Sequence, residues 1–423
     1  RGVAVVVIPG DVARQEVESA ELSLPAQHTP PSVCPAVTDL HLAAEMLNGA
    51  HKITILGGAG CAEAHNEVIQ LANILKAPIV HALRGKEYLE HDNPFDVGMT
   101  GLLGFSSGYQ AMMDCDVLLM LGTDLPYQQF YPSDARVIQV DLRPENIGRR
   151  VRVHLGLVGD VGATLRGLST WLQTKENREH LDASLEHYRE ARKSLDDLAT
   201  GTPGRKPIHP EFVARTLSEL AAPNAIFTCD VGTPTIWASR YLKMNGWRRL
   251  LGSFNHGSMA NALPQAIGAQ LAFPNRQVIS MSGDGGFAML MGDVLTLKQL
   301  KLPVKIVIFN NSSLGFVEME MKAAGLLEFG TELQNPNFAT MAESIGIRGF
   351  RIEDPADVAS GLREALNCGG PALVDAVVNR QELSMPPHIE MEQAKGFSLF
   401  ILKAILNGRG DEIVDLVRTN VLR

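Results

Sequence analysis

Two doubly wound parallel α/β domains followed by an amphipathic tail are the fold this sequence predicts, and three observations predict it. From about residue 38 onward, short apolar runs alternate with amphipathic stretches, the pattern of β–turn–α repetition. The alternation breaks once, at Gly201-Thr202-Pro203-Gly204-Arg205-Lys206-Pro207, and then resumes. Beyond about residue 382 it gives way to an apolar helical stripe with basic residues.

Taken in order, Val3 to Ile8 is a β-branched run ending in Pro9-Gly10-Asp11, the last strand of a domain that would lie upstream. Ile53 to Leu56 is a strand, then Gly57-Gly58-Ala59-Gly60 opens a helix running to Leu75. Strands follow at Ile79-Val80, Val117 to Leu121 and Val137 to Val140. Residues 174 to 200 are charged and helical. The second series has strands at Ala225 to Cys229, Val278 to Met281, Val304 to Phe309 and Ala372 to Val378. The expected divisions are residues 1–31 (domain remnant and linker), 32–183 (middle domain), 184–381 (second α/β domain) and 382–423 (tail). A chain of 423 residues suits that number of cores. Apolar residues at 45% and charged residues at 20% fit a soluble globular protein. A net charge of −9 argues against nucleic acid, and no apolar run approaches the ~20 residues of a spanning helix. Five cysteines without a CxxC pair read as reduced core thiols in a cytosolic protein.

One constellation carries chemistry. Val278 to Ser282 runs into Gly283-Asp284-Gly285-Gly286, a helix is expected from Phe287 to Leu300, and the strand from Val304 ends in Asn310-Asn311. One crossover therefore brings Asp284 and Asn311 to the same carboxyl edge of a parallel sheet. A carboxylate beside an uncharged amide oxygen suits Mg²⁺ already carrying an anionic diphosphate, since a second carboxylate would repel the phosphates. Gly285 and Gly286 remove side chains where phosphate approaches, and the helix start offers N–H groups. A Gly-Asp pair alone is ordinary turn chemistry. Gly159-Asp160 also follows a strand-like run, but no amide pair stands one crossover later.

The segment Gly283-Asp284-Gly285 … Asn310-Asn311 resembles the diphosphate signature of thiamine-diphosphate enzymes. That resemblance implies a metal held by Asp284, Asn311 and the backbone carbonyl of Ser313. It implies thiamine-diphosphate contacts at Gly257, Ser258 and Met259, at Gly285 and Gly286, and at Ser312, Leu314, Gly315, Phe316 and Val317. Met259 matches the apolar residue that props the cofactor in a bent shape, and Phe316 is a candidate gate that shields the reacting centre from water. Longer strings are similar to the acetate-forming, quinone-reducing pyruvate oxidases: Pro78 to Lys86, Gly98 to Gly104, Cys229 to Pro234 and Phe254 to Ala262. In these flavoproteins the middle domain binds FAD. The resemblance places contacts at Thr100, Gly101, Leu102 and Leu103, at Thr123, Asp124, Leu125, Pro126 and Tyr127, and at Asp141. Asp141 has its own physical argument, because an acid closing a strand can accept from adenosine hydroxyls; capping of the next helix is the less favoured alternative.

The implied activity is oxidative decarboxylation of pyruvate to acetate and CO₂, with electrons passing to FAD and then to ubiquinone. The family's activating glutamate belongs to an N-terminal domain, and no candidate for it stands in this chain. Phe397, Phe400, Ile401 and Ile405, then Ile413, Leu416, Val417 and Val421, form two helical stripes accompanied by Lys395, Lys403, Arg409, Arg418 and Arg423. Such stripes usually pack on a core, but they also suit a membrane interface. The expectation is a peripheral enzyme on the inner face of the cell membrane, docked on lipid through this tail and assembled as a homotetramer. An acetolactate-synthase-like carboligase, or a catalytically incomplete cofactor-binding fragment, are the competing readings.

Overall fold

The computed structural model describes residues 5–16, 31–382, 384, 386, 387, 389 and 391–420. By internal packing the chain divides into Arg1–Ser32 and Val33–Arg423. In the first unit, Val5 to Ile8 is exposed and joins no strand, and a single 3₁₀ turn follows at Val12–Arg14. The expected strand is therefore corrected over its described part: a β-branched run becomes a strand only when a neighbouring edge takes its hydrogen bonds. Val3 and Ala4, Val421 and Arg423 lie outside the described residues.

The second unit contains two six-stranded sheets in which every pairing is parallel. The first is built from β1 (Ile53–Gly57), β2 (Ile79–His81), β3 (Asp96–Met99), β4 (Val117–Leu121), β5 (Arg136–Asp141) and β6 (Leu155–Val158), in the order β3-β2-β1-β4-β5-β6. The second comprises β7 (Ile226–Cys229), β8 (Arg249–Gly252), β9 (Val278–Gly283), β10 (Lys305–Asn310), β11 (Arg348–Ile352) and β12 (Ala372–Val377), in the order β11-β12-β10-β9-β7-β8. This is the doubly wound α/β architecture expected from the alternation. Its inner strands β1, β4, β7 and β10 are buried along their whole length, as a sheet covered on both faces requires.

Three strands escaped the sequence reading. β8 and β11 begin on arginine and carry glycine, and β3 begins on Asp96, so none forms an uninterrupted apolar run. All three pair on one side only; β8 and β11 carry part-exposed residues there, whereas β3 is buried throughout. The helix expected from Phe287 to Leu300 is also corrected. β9 extends to Gly283, a helix occupies Asp284–Met289, a 3₁₀ turn Met291–Asp293, and a second helix Val294–Gln299. The break lets Phe287, Val294 and Leu297 all enter one core cluster beneath the sheet.

Strand order reverses between β1 and β4 in the first sheet and between β7 and β9 in the second. Crevices at the carboxyl ends of strands form at such switch points. At the first, Gly60 N–H donates to Gly122 O at 2.9 Å, and a Cβ on Gly60 would stand 2.6 Å from Gly122 Cα. The Gly57–Gly60 run is thus explained by close backbone packing of two strand exits.

The C-terminal helix Met391–Leu406 packs on the helix Gly315–Ala323 that follows β10. Phe400 and Ala404 are buried there. Phe397 and Ile401 are part-buried, whereas Ile405 faces solvent with Leu399, Leu402 and Leu406. The expected stripe is therefore divided, one side against the protein and one side outward. The second helix, Gly410–Asn420, buries Leu416 and Thr419 and leaves Val414 and Val417 exposed. No helix among the described residues is long and apolar enough to cross a membrane. All five cysteines are free; Cys61, Cys115 and Cys229 are buried, while Cys34 is exposed, contrary to the expectation of core thiols throughout.

Candidate functional site

Asp284 is the first residue of its helix, directly after β9, and is buried. Its Oδ1 accepts from Gly285 N–H at 3.0 Å, and its Oδ2 accepts from Ser312 N–H at 2.7 Å and Asn335 Nδ2 at 2.7 Å. Asn311 follows β10, as the crossover argument requires, and its Oδ1 accepts from Ser313 N–H at 3.1 Å. Ser312 sits in the left-handed region with φ 55°, and this turns the chain so that its N–H faces Asp284. The Ser313 hydroxyl is committed to Glu318. The backbone bonds flanking Ser313 use Ser312 O and Leu314 N–H, not the Ser313 carbonyl. Asp284, Asn311 and the Ser312–Ser313 turn thus meet at one sheet edge.

Three residues support this edge: Asn335 and Asp375, which the sequence did not single out, and Asn310, which it placed in the motif without a role of its own. Asn335 Nδ2 bridges Asp284 Oδ2 and, at 2.9 Å, Asn310 Oδ1. Asn310 Nδ2 donates to Asp375 Oδ1 at 2.8 Å. Asp375 is wholly buried in β12, accepts from Phe338 N–H at 3.1 Å and pairs with Arg351. A charged residue in the middle of the apolar strand Ala372–Val377 was the legible signal. Asn335, in a polar loop, gave none.

Across the switch point, Asp230 follows β7 and is 2% exposed. Its Oδ1 accepts from Ala262 N–H at 2.9 Å, while Oδ2 has no hydrogen-bond partner among the described residues. Burial pushes its carboxyl up to about 6 against the backbone N–H groups that oppose the shift. A Cβ on Gly286 would lie 2.4 Å from that orphaned oxygen. A Cβ on Gly285 would meet Leu314 at 3.0 Å, Leu333 at 3.2 Å and Met259 Cε at 3.4 Å. The two glycines therefore line a cradle that any side chain would fill, beside a carboxylate–amide donor set. These residues fit a divalent metal and a diphosphate. Gly257, Ser258 and Met259 are exposed on the same side of the sheet as the cradle that Met259 borders.

Phe316 is part-buried against the core of the second sheet, and Val317 is exposed. Glu318 anchors the next turn. Burial alone would raise its carboxyl, but Lys322 and the Ser313 hydroxyl outweigh that and hold it at about 2. Arg380 Nε donates to the same carboxylate at 3.1 Å. Asn311, Thr233 and Gly315 line a narrow cleft together with Glu318, Lys322 and Arg380. The described residues hold one other metal-type group, His209, Glu211 and Glu382. His209 Nδ1 is already engaged with Glu382 at 2.7 Å, and Glu211 acts on the charge of Arg240.

In the middle domain, Thr100 is 3% exposed and its Oγ1 has no partner among the described residues, while Gly101 takes φ 97° to turn the loop. Leu102 is exposed and Leu103 packs against the core of the second sheet. Thr123 and Leu125 are buried; Pro126 is exposed and Tyr127 part-buried. Asp124 is engaged by Arg150 at 2.7 Å and by Arg149 at 3.4 Å. Asp141 Oδ1 accepts from Arg143 N–H at 2.8 Å in a local turn and caps no α-helix. Asp160, the comparison case, instead accepts from Val33 N–H at 2.7 Å, a structural tie.

The second domain, then, gathers at a parallel-sheet switch point residues that fit a diphosphate and a metal, as in the class of protein in which a bound cofactor does the chemistry. Two family models match the chain: the thiamine pyrophosphate enzyme C-terminal TPP-binding domain over residues 230–376, and the thiamine pyrophosphate enzyme central domain over 40–168. The chain belongs to the thiamine pyrophosphate enzyme family. It is 35% identical over 423 residues to the "Putative thiamine pyrophosphate-containing protein YdaP" of Bacillus subtilis (strain 168), covering 99% of this chain and 72% of that one. It is 30% identical over 407 residues to the acetolactate synthase large subunit of Porphyra purpurea, covering 91% and 67%. A 42.6 kDa uncharacterized protein of Pseudomonas amyloderamosa is 56% identical over 212 residues, covering 49% and 52%.

Proposed function

We propose that the protein oxidatively decarboxylates pyruvate, using thiamine diphosphate with Mg²⁺ and FAD, and delivers the electrons to ubiquinone at a membrane. Pyruvate and water give acetate, CO₂, two protons and two electrons, and the quinone takes up the electrons. Thiamine diphosphate supplies the carbon chemistry and FAD the two-electron acceptor. Asp284, Asn311 and the Ser313 carbonyl hold the metal, and Gly285 and Gly286 admit the phosphates. Met259 borders the cradle, and Phe316 with Val317 limits water at the reacting centre. The Thr100–Leu103 loop, the Thr123–Tyr127 segment and Asp141 receive the flavin. Assembly as a homotetramer on the inner face of the cell membrane belongs to the same reading.

The observation that carries the oxidase over other thiamine-diphosphate activities is the C-terminal helix Met391–Leu406. It leaves Leu399, Leu402, Ile405 and Leu406 facing solvent, a surface that suits a lipid-borne acceptor. Two of the expected basic contacts with lipid are used inside the protein, since Lys403 donates to Gly325 O and Arg409 pairs with Glu328. A carboligase of the acetolactate synthase kind is the second reading, favoured by the 30% identity to the Porphyra purpurea subunit.

Adding pyruvate anaerobically to the full-length protein with thiamine diphosphate, Mg²⁺ and FAD distinguishes the two. Bleaching of the flavin absorbance is expected. Pyruvate consumption with the flavin still oxidised would replace the oxidase with the carboligase. Truncation at about residue 395 should abolish liposome binding while electron transfer to soluble dyes continues; retained liposome binding would remove the tail from the membrane contact.

A further inference from the structure

The helix Thr233–Tyr241 joins two regions that the sequence treats as separate domains. It begins just after Asp230 and Gly232 at the diphosphate cradle, and Thr235 Oγ1 donates to Asp230 O at 2.7 Å. It ends roughly 13 Å further on, at ~1.5 Å per residue, with every side chain from Pro234 to Tyr241 buried. Arg240, one residue from that end, is 8% exposed. Its Nε donates to Leu103 O at 3.1 Å and its Nη2 to Gly104 O at 3.4 Å. Both carbonyls belong to the middle-domain loop after β3.

That loop is a built structure. Thr100 N–H donates to His81 O at 3.1 Å, Gly104 N–H to Gly101 O at 2.9 Å and Phe105 N–H to Met99 O at 2.7 Å. A Cβ on Gly104 would lie 2.6 Å from Met99 O, so the turn closes only on glycine. At its start stands the Thr100 hydroxyl, buried and with no partner among the described residues. Burying a hydroxyl without a partner is unfavourable, and a ligand able to accept or donate there removes that cost. Arg240 is itself held from behind. Arg192 donates to Arg240 O at 2.6 Å, lies over the Phe105 and Tyr241 rings, and pairs with Asp196.

We infer that Arg240 is a positioning residue for the flavin dinucleotide: from the thiamine-diphosphate domain it fixes the Thr100–Gly104 loop in the shape that presents the Thr100 hydroxyl to that ligand. The inference rests on the flavin reading above. It gives the two cofactor sites a shared rigid part, since one helix starts at the diphosphate cradle and ends on the flavin loop. A lysine could satisfy one of the two carbonyls but lacks the planar fork that reaches both.

The test uses the full chain and two ligands, with wild type, Arg240→Met, Arg240→Lys and Thr100→Val compared. FAD affinity is read by quenching of flavin fluorescence, Mg²⁺–thiamine-diphosphate affinity by calorimetry, and loop protection by hydrogen exchange. Loss of charge-assisted bonds to two carbonyls predicts FAD binding weakened about tenfold or more in Arg240→Met. Arg240→Lys should fall between Met and wild type. Exchange at Gly104 and Phe105 should quicken in both variants, with thiamine-diphosphate affinity held. Thr100→Val, which leaves the interdomain bonds intact, should weaken FAD severalfold without changing that exchange. Wild-type protein that binds no FAD would overturn the flavin reading and this inference with it. Wild-type protein that binds FAD, with Arg240→Lys and a folded Arg240→Met equal to it, would overturn the inference alone. Should Arg240→Met fail to fold, the Arg240→Lys exchange and affinity data decide on the same terms.

Discussion

At the scale of single residues, the site is governed by which oxygen atoms are left with capacity to bind. Asp284 is oriented by three N–H donors, and Asn335 supplies the only side chain among them. Replacing Asn335 with alanine removes a bond to a carboxylate, worth about 1.5–3 kcal/mol. Affinity for Mg²⁺–thiamine diphosphate should fall about tenfold to a hundredfold by calorimetry; an unchanged affinity would show that the backbone donors suffice. Asp230 has the opposite character, a buried carboxyl held up at about 6. The folded state there keeps a proton that the unfolded chain loses between about pH 4 and pH 6, so stability declines as pH rises through that window and stays lower above it. In cofactor-free Asp230→Asn this decline should be missing. Relative to wild type the variant should gain on the order of 2 kcal/mol between about pH 4 and pH 8. Thermal melts at the two pH values check it, and a difference independent of pH would exclude Asp230 as the titrating group. Residue identity was readable here where the chemistry is local: Asp284 and Asn311 were found from a strand exit and a crossover. The roles of Asp230, Asn310 and Asn335 were not legible, because an orphaned oxygen or a bridging amide is created by chains that meet only in the fold.

At the scale of elements, close approach decides more than propensity does. The helix Met391–Leu406 meets the helix Gly315–Ala323 at Gly396, where a Cβ would stand within 1.9 Å of Ala323 O. No rotamer relieves a clash with backbone, and overpacking of this kind costs about 1–3 kcal/mol. Gly396→Ala should therefore loosen the C-terminal helix, seen as faster hydrogen exchange across Met391–Leu406 with the strands still protected. Full protection of that helix in the variant would show the approach to be less tight than the structure has it. The apolar stripe of the same helix was visible in sequence. Its division into a docked side with Phe400 and Ala404 and an outward side with Leu402 and Ile405 was not, because helical period does not say which neighbour arrives. The short β8 and β11 show the same limit, since a strand beside one partner needs little apolar pattern of its own.

Over the whole molecule, the two sheets are joined by specific polar ties. Glu87 of the middle domain accepts from Arg249 Nε at 3.0 Å, Arg249 Nη2 at 3.2 Å and Leu250 N–H at 3.0 Å. Arg249 is 44% exposed, so its share of the pair is small, below about 1 kcal/mol. Glu87→Ala also strands the N–H of buried Leu250, which costs about 1–3 kcal/mol. Urea unfolding should show Glu87→Ala clearly destabilised and Arg249→Ala nearly neutral; equal losses would place the stabilisation in the ion pair itself.

The sequence by itself determined the class of fold, the two strand–turn–helix series and the carboxylate–amide pair of the second. These depend on local period, on turn residues and on the length of one crossover, all of which act along the chain. Only the tertiary structure decided strand order, the supports behind Asp284, the orphaned oxygen of Asp230 and the reach of Arg240 into the other domain. Those features come from groups far apart in sequence competing for the same buried hydrogen bonds, and burial exists only once the sheets have closed over them.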